Sequence, residues 1–153
     1  MKVCIFGAGA IGGFMGGRMT QAGIDVSLIA RGAHLNAMKK NGLRFEDENG
    51  SHTVQVTATD DPHQLGPQDY VIISVKAISL AGANIEPLLG EHTSVVTAMN
   101  GIPWWYYYGL QAQEKTRPLE CVDPGGDVWR RIGPERAIGA TIDYRAEVRE
   151  PGV

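Results

Sequence analysis

The sequence predicts an α/β fold, a doubly wound and mostly parallel sheet with helices on both faces, and three observations carry that prediction. Short continuous apolar runs at residues 3–6, 70–75 (YVIISV) and 94–99 (SVVTAM) have the character of strands buried on both faces. Stretches of helical spacing alternate with them, as right-handed crossovers between parallel strands require. Gly7, Gly9 and Gly12 fall where the first strand must turn tightly into the first helix.

The elements follow in chain order. After the glycines, Ile11, Phe14, Met15 and Met19 recur at helical spacing, and Gly23 stands where a helix C-terminal glycine belongs. Residues 25–30 (DVSLIA) read as a second strand, so the first thirty residues make one βαβ unit. A short helix over 33–40 is closed by Asn41 and Gly42, and residues 43–46 and 53–58 flank the turn residues Asn49 and Gly50 as a hairpin or a pair of edge strands. The strand at 70–75 leads to a predicted helix over 79–89 that Pro87 bends or shortens, and then to the strand at 94–99. Residues 104–108 (WWYYY) form an aromatic block, 114–117 are polar, 123–127 (DPGGD) read as a loop, and 137–144 as a last strand. Glu150, Pro151, Gly152 and Val153 carry neither helix cap nor charged tail, as in a chain that would continue.

Composition narrows the function. The 153 residues suit one domain over 1–153, 43% hydrophobic and 20% charged, the balance of an ordinary globular protein. A net charge of −3 without a Lys/Arg run argues against nucleic-acid or anionic-membrane partners. The apolar start is too short for a signal-peptide core or a membrane span, which predicts a cytoplasmic protein. Cys4 and Cys121 form no CxxC pair and have no His cluster, so neither a metal site nor a disulfide is expected, and Cys4 reads as a buried inert thiol. His34, His52, His63 and His92 show no carboxylate or thiol partner at a ligand spacing and are read as ordinary surface residues.

The glycines carry the chemistry. Gly7, Gly9 and Gly12 satisfy GxGxxG directly after a strand and directly before a helix, the context in which the motif binds a dinucleotide. Gly7 permits the tight turn, Gly9 lets the backbone approach a pyrophosphate, and Gly12 lets the helix pack closely on the sheet. Ala8, Ala10 and Ile11 complete the loop, and the helix beginning near Ala10 turns its free N–H groups and positive dipole end toward the phosphates. The second strand ends Leu28, Ile29, Ala30, Arg31, without the acid that would hold a ribose 2′-hydroxyl. Arg31 offers a planar cation suited to a 2′-phosphate, which favours NADP(H) over NAD. Lys76 and Asn100 each follow a buried strand, at the C-terminal edge where ligands bind in open α/β sheets.

With GAGAIGG at residues 7–13, LIARGAHLNAM at 28–38, SVKA at 74–77 and NGIPWW at 100–105, the sequence resembles the ketopantoate reductase (2-dehydropantoate 2-reductase) family over nearly its whole length. The resemblance implies an N-terminal Rossmann domain, NADPH as cofactor and the reduction of a 2-oxo acid, ketopantoate to pantoate, on the route to pantothenate. It implies Arg31 at the 2′-phosphate, Lys76 and Asn100 near the nicotinamide ribose and substrate, and Ala146 near the cofactor. It also implies a C-terminal, mainly helical domain carrying a catalytic Lys and Glu, to which no segment here corresponds. Residues 1–153 are therefore expected to bind cofactor without catalytic residues of their own. A standalone nucleotide-binding module is the competing expectation. The aromatic block is expected to pack rather than bind ligand, because contiguous aromatics cannot all face one small molecule, and a homodimer is compatible with the exposed apolar surface a lone half would carry.

Overall fold

The computed structural model describes residues 1–110 and 117–153. The polar stretch at 114–117 lies, apart from Arg117, outside the described residues. Six parallel strands form the main sheet: β1 (Lys2–Phe6), β2 (Asp25–Ile29), β5 (Thr57–Thr59), β6 (Gln68–Ile73), β7 (Leu89–Ala98) and β8 (Ala137–Ala140), in the order β5-β2-β1-β6-β7-β8. The helices α1 (Ala10–Gln21), α2 (Gly32–Asn41) and α3 (Asp127–Ile132) connect them, and β3 (Leu43–Asp47) pairs antiparallel with β4 (Gly50–Val54) outside the sheet. The chain starts in the middle, winds outward to β5 and returns to β6, so strand order reverses between β1 and β6. This is the Rossmann arrangement, whose ligand crevice lies at that reversal.

Both faces of the central strands are buried, as the apolar runs require, while the edge strand β8 stays half-exposed. In β1, Val3 and Ile5 face a core shared with Val26, Leu28, Leu35 and Met38, while Cys4 and Phe6 face a second core with Val71, Ile73, Leu88 and Trp104. Burial pushes the Cys4 thiol up to about 12, in keeping with an inert core cysteine. Trp104 packs edge-on to Trp129, and only Tyr106 and Tyr108 of the aromatic block stand well exposed. The buried side of α1 is made of glycine, Gly12 and Gly16 toward the main sheet and Gly13 and Gly17 toward β3. Gly12, Gly13, Gly16 and Gly17 are buried, while Ile11, Phe14, Met15 and Met19 are only half-buried beside them.

Four predicted segments differ. The helix expected over 79–89 is absent: the chain makes two single 3-10 turns, Ala77–Ser79 and Glu86–Leu88, joined by irregular backbone. Gly82, Asn84 and Pro87 weaken a helix there, and tertiary partners replace its hydrogen bonds. Arg131 on α3 donates to the carbonyls of Ala81 and Ala83 and pairs with Glu86 at 2.5 Å. That leaves Leu80, Ala83, Ile85 and Leu88 free to fill the core. The predicted strand 53–58 is divided between β4 and β5, because Ala58 and Thr59 turn inward in the main sheet while β4 alternates beside solvent. The loop at 123–127 leads straight into α3, whose first N–H groups at Val128 and Trp129 donate to the buried Asp123 carboxylate at 3.0 and 2.9 Å. The last strand stops at Ala140, not at Tyr144.

The Arg131 hydrogen bond holds the Glu86 carboxyl down from its ordinary 4.5 to about 2. A carboxyl depressed in the folded state stabilises it fully above about 4.5, and that contribution is lost as pH falls toward about 2. Urea midpoints followed over this window should fall more steeply for the wild-type chain than for Glu86→Gln. Parallel curves would show that the pair contributes nothing to stability.

Candidate functional site

The glycine loop stands at the strand-order reversal, and its three glycines answer to three different constraints. Gly7 has φ +108°, and a Cβ there would come within 2.5 Å of Val75 Cγ1. At Gly12 a Cβ would collide with the Gly7 carbonyl oxygen and Ser74 Oγ, so only glycine lets α1 seat on the sheet. Gly9 is different: its φ of −74° is open to any residue, and a Cβ would meet nothing within 4 Å. Neither backbone nor packing demands a glycine there, which leaves the approach of something outside the chain. Gly9 is also the N-cap of α1, with no capping side chain and no acid in the first turn, so the helix end presents bare N–H groups.

Neighbouring strands hold the loop on both sides. The Gly7 and Ala8 N–H groups donate to Ile29 O at the end of β2, at 3.2 and 2.8 Å. From β6, Ser74 donates its N–H to Phe6 O at 3.1 Å and its hydroxyl to Gly7 O at 2.7 Å. Arg31 lies two residues past Ile29 as the extended N-cap of α2, and Lys76 two residues past Ser74. The two cations thus flank the loop. Both are exposed, and neither has a partner among the described residues.

Asn100 and Ala146 belong to the far side of the crevice. Asn100 follows β7, and its amide is engaged twice by the chain after β8, donating to Ile142 O and accepting from Ile142 N–H, both at 3.0 Å. It lines a small cleft of about 20 Å³ with Ala77, Met99 and Trp104. Beyond Ile142 the chain passes over the start of α1, where the Tyr144 hydroxyl reaches Ile11 O at 3.5 Å and its ring packs on Phe14. Desolvation raises the Tyr144 phenol above its ordinary value. A cavity of about 1160 Å³ opens between this segment, the glycine loop and the β3–β4 hairpin. Gly9, Ala10, Ile11 and Ala146 share its wall; Arg31, Lys76 and Asn100 stand outside it along the sheet edge.

Two histidines read as surface residues have specific partners. His52 Nε2 meets the Asp47 carboxylate at 3.0 Å across the hairpin, and Asp47, lowered mainly by that hydrogen bond, also takes Arg18 of α1 at 2.5 Å. His34 is engaged through both ring nitrogens, one to Ala8 O at 2.7 Å and one to Gly152 N–H at 2.8 Å. Spacing along the chain hides such a bond, since Gly152 is 118 residues away. Among the described residues no helix is long and apolar enough to cross a membrane, and no group of three metal-ligating side chains gathers.

Comparison with known proteins identifies the lineage. The family model for ketopantoate reductase PanE/ApbA matches residues 3–104. The chain belongs to the ketopantoate reductase family. It is 48% identical over 156 residues to a 2-dehydropantoate 2-reductase of Mesorhizobium japonicum, covering 100% of this chain and 48% of that protein. A 2-dehydropantoate 2-reductase of Pyrococcus horikoshii is 36% identical, with 100% and 43% covered. Among solved structures, a candidate ketopantoate reductase from Ralstonia solanacearum MolK2 superposes with TM-score 0.90 at 40% identity, covering 99% of this chain and 47% of that one. A D-mandelate dehydrogenase solved with NADH and anilino(oxo)acetate shares the fold, with TM-score 0.78 at 22% identity and 99% and 44% covered. The chain thus spans about half the length of the family members it matches.

Proposed function

We propose that this chain is the NADPH-binding half of a cytoplasmic reductase that converts a 2-oxo acid, ketopantoate, to its 2-hydroxy acid, pantoate. Gly9 carries the proposal: a glycine that the fold does not need, at the bare N-terminus of α1, lets the backbone close on a pyrophosphate. Gly7, Ala8, Ala10, Ile11 and Gly12 shape that cradle. Arg31, without a partner among the described residues on the β2 side, takes the 2′-phosphate; Lys76 on the β6 side and Asn100 hold the nicotinamide ribose and the substrate, and Ala146 closes the cavity over the loop. When bound, the reduced nicotinamide supplies a hydride to the ketone carbon. The ketone must be held there and its oxygen given a proton, and we place those catalytic groups outside residues 1–153.

Residues 1–153 alone are expected to bind NADPH yet show little or no ketopantoate-dependent NADPH oxidation. Ile78 and Ile102, 89% and 58% exposed on the loops after β6 and β7, are where the remaining half would cover the sheet edge. Fusing the C-terminal half of the Mesorhizobium japonicum relative to residue 153 should restore oxidation. Full activity from residues 1–153 alone would contradict the half-enzyme assignment. A fusion that folds and binds NADPH but stays inactive would favour a standalone nucleotide-binding module.

A further inference from the structure

His34 has a role that the cofactor assignment leaves unused. It stands in the first turn of α2, half-buried, with both ring nitrogens occupied. A backbone N–H can only donate, so Nδ1 accepts from Gly152 at 2.8 Å; a carbonyl can only accept, so Nε2 carries the proton toward Ala8 O at 2.7 Å. The Gly152 contact fixes the ring. Residues 150–153 make a Pro-Gly turn closed by Val153 N–H to Glu150 O at 3.0 Å, with Gly152 at φ +89°. Gly152 O accepts Arg44 N–H at 2.9 Å, and a Cβ on Gly152 would lie 2.9 Å from Ala37 Cβ, so the turn sits tightly on α2 and β3.

The Ala8 carbonyl belongs to the same peptide unit as the Gly9 N–H. That unit is planar and trans, so its C=O and N–H point in opposite directions. Drawing Ala8 O toward His34 therefore directs Gly9 N–H away from α2, on the exposed side of the loop, where it has no partner among the described residues. Ala8 N–H is held by Ile29 O at 2.8 Å and Gly9 O by Gly13 N–H of α1 at 2.6 Å, so His34 restrains the Ala8–Gly9 peptide group between them, which neither β2, β6 nor α1 holds.

We infer that His34 is a positioning residue for the dinucleotide pyrophosphate, aiming Gly9 N–H through the Ala8 peptide. The inference rests on the cofactor assignment above. Two isosteres separate its halves: Gln at position 34 keeps a donor near the Nε2 position, and Asn keeps an acceptor near Nδ1. NADPH dissociation constants should rise about five- to tenfold in His34→Asn and His34→Ala, the worth of one hydrogen bond, and stay within about twofold in His34→Gln. Adenosine 2′-monophosphate, which lacks the pyrophosphate, should bind all three variants as it binds the wild type. His34→Asn binding NADPH as tightly as the wild type, or weakening for both ligands alike, would overturn the positioning role while leaving the cofactor assignment intact. A wild-type chain that binds no NADPH would overturn both.

Discussion

Gly9→Val is expected to abolish NADPH binding while the chain stays folded. The position has room in the protein itself, since a Cβ at Gly9 meets nothing within 4 Å and the backbone there is ordinary. Circular dichroism and the urea midpoint should therefore stay close to wild type. The branched side chain would instead occupy the space through which the loop and the first turn of α1 approach the pyrophosphate. Charge-assisted hydrogen bonds contribute about 1.5 to 3 kcal/mol each, so losing two weakens binding by about 100-fold or more. Gly12→Ala makes the contrasting control. There the added methyl meets the Gly7 carbonyl and Ser74, so stability should fall along with binding. A Gly9→Val chain with unaltered affinity would show that the loop does not cradle phosphate.

Arg31→Ala should separate the two cofactors. Arg31 lies beyond the end of β2 with no side-chain partner among the described residues, and no acid stands on that strand end to take a 2′-hydroxyl. Removing its guanidinium should cost NADPH about 1.5 to 3 kcal/mol, about 10- to 150-fold in affinity, because a charged and potentially bidentate contact is lost. NADH has no 2′-phosphate and should bind the variant as it binds the wild type. Arg31→Lys should recover only part of the loss, since a point charge replaces a planar fork. Equal weakening toward both cofactors would move Arg31 from the phosphate to a general role in the fold.

The sheet and the glycine loop were legible because their causes are local. A strand buried on both faces reads as an apolar run, and the positive φ of Gly7 and the Gly7 carbonyl that bars a Cβ at Gly12 lie within one strand-turn-helix, while the contacts of Ser74 and Val75 with the loop add a distant reason. The buried face of α1 was harder to see, since Gly12, Gly13, Gly16 and Gly17 carry no hydrophobic signal and the methionines beside them do. Most of what differs is decided by distant partners. Arg131 takes the carbonyls of residues 81 and 83, so the chain before β7 needs no helix, and no window around residue 85 contains that fact. The α3 helix was hidden behind the glycines of 125 and 126, although Asp123 was there to cap it. His34 looked like any polar residue on a short helix, and only the fold brings Ala8 and Gly152 to its two nitrogens.

Whether residues 1–153 form an NADPH-binding domain is decided by calorimetric titration of NADPH and NADH into the wild-type chain. NADPH should bind saturably and one-to-one, with NADH weaker by about 10-fold or more, as one lost phosphate contact implies. Equal affinity for the two, or no binding of either by a folded chain, would contradict that assignment.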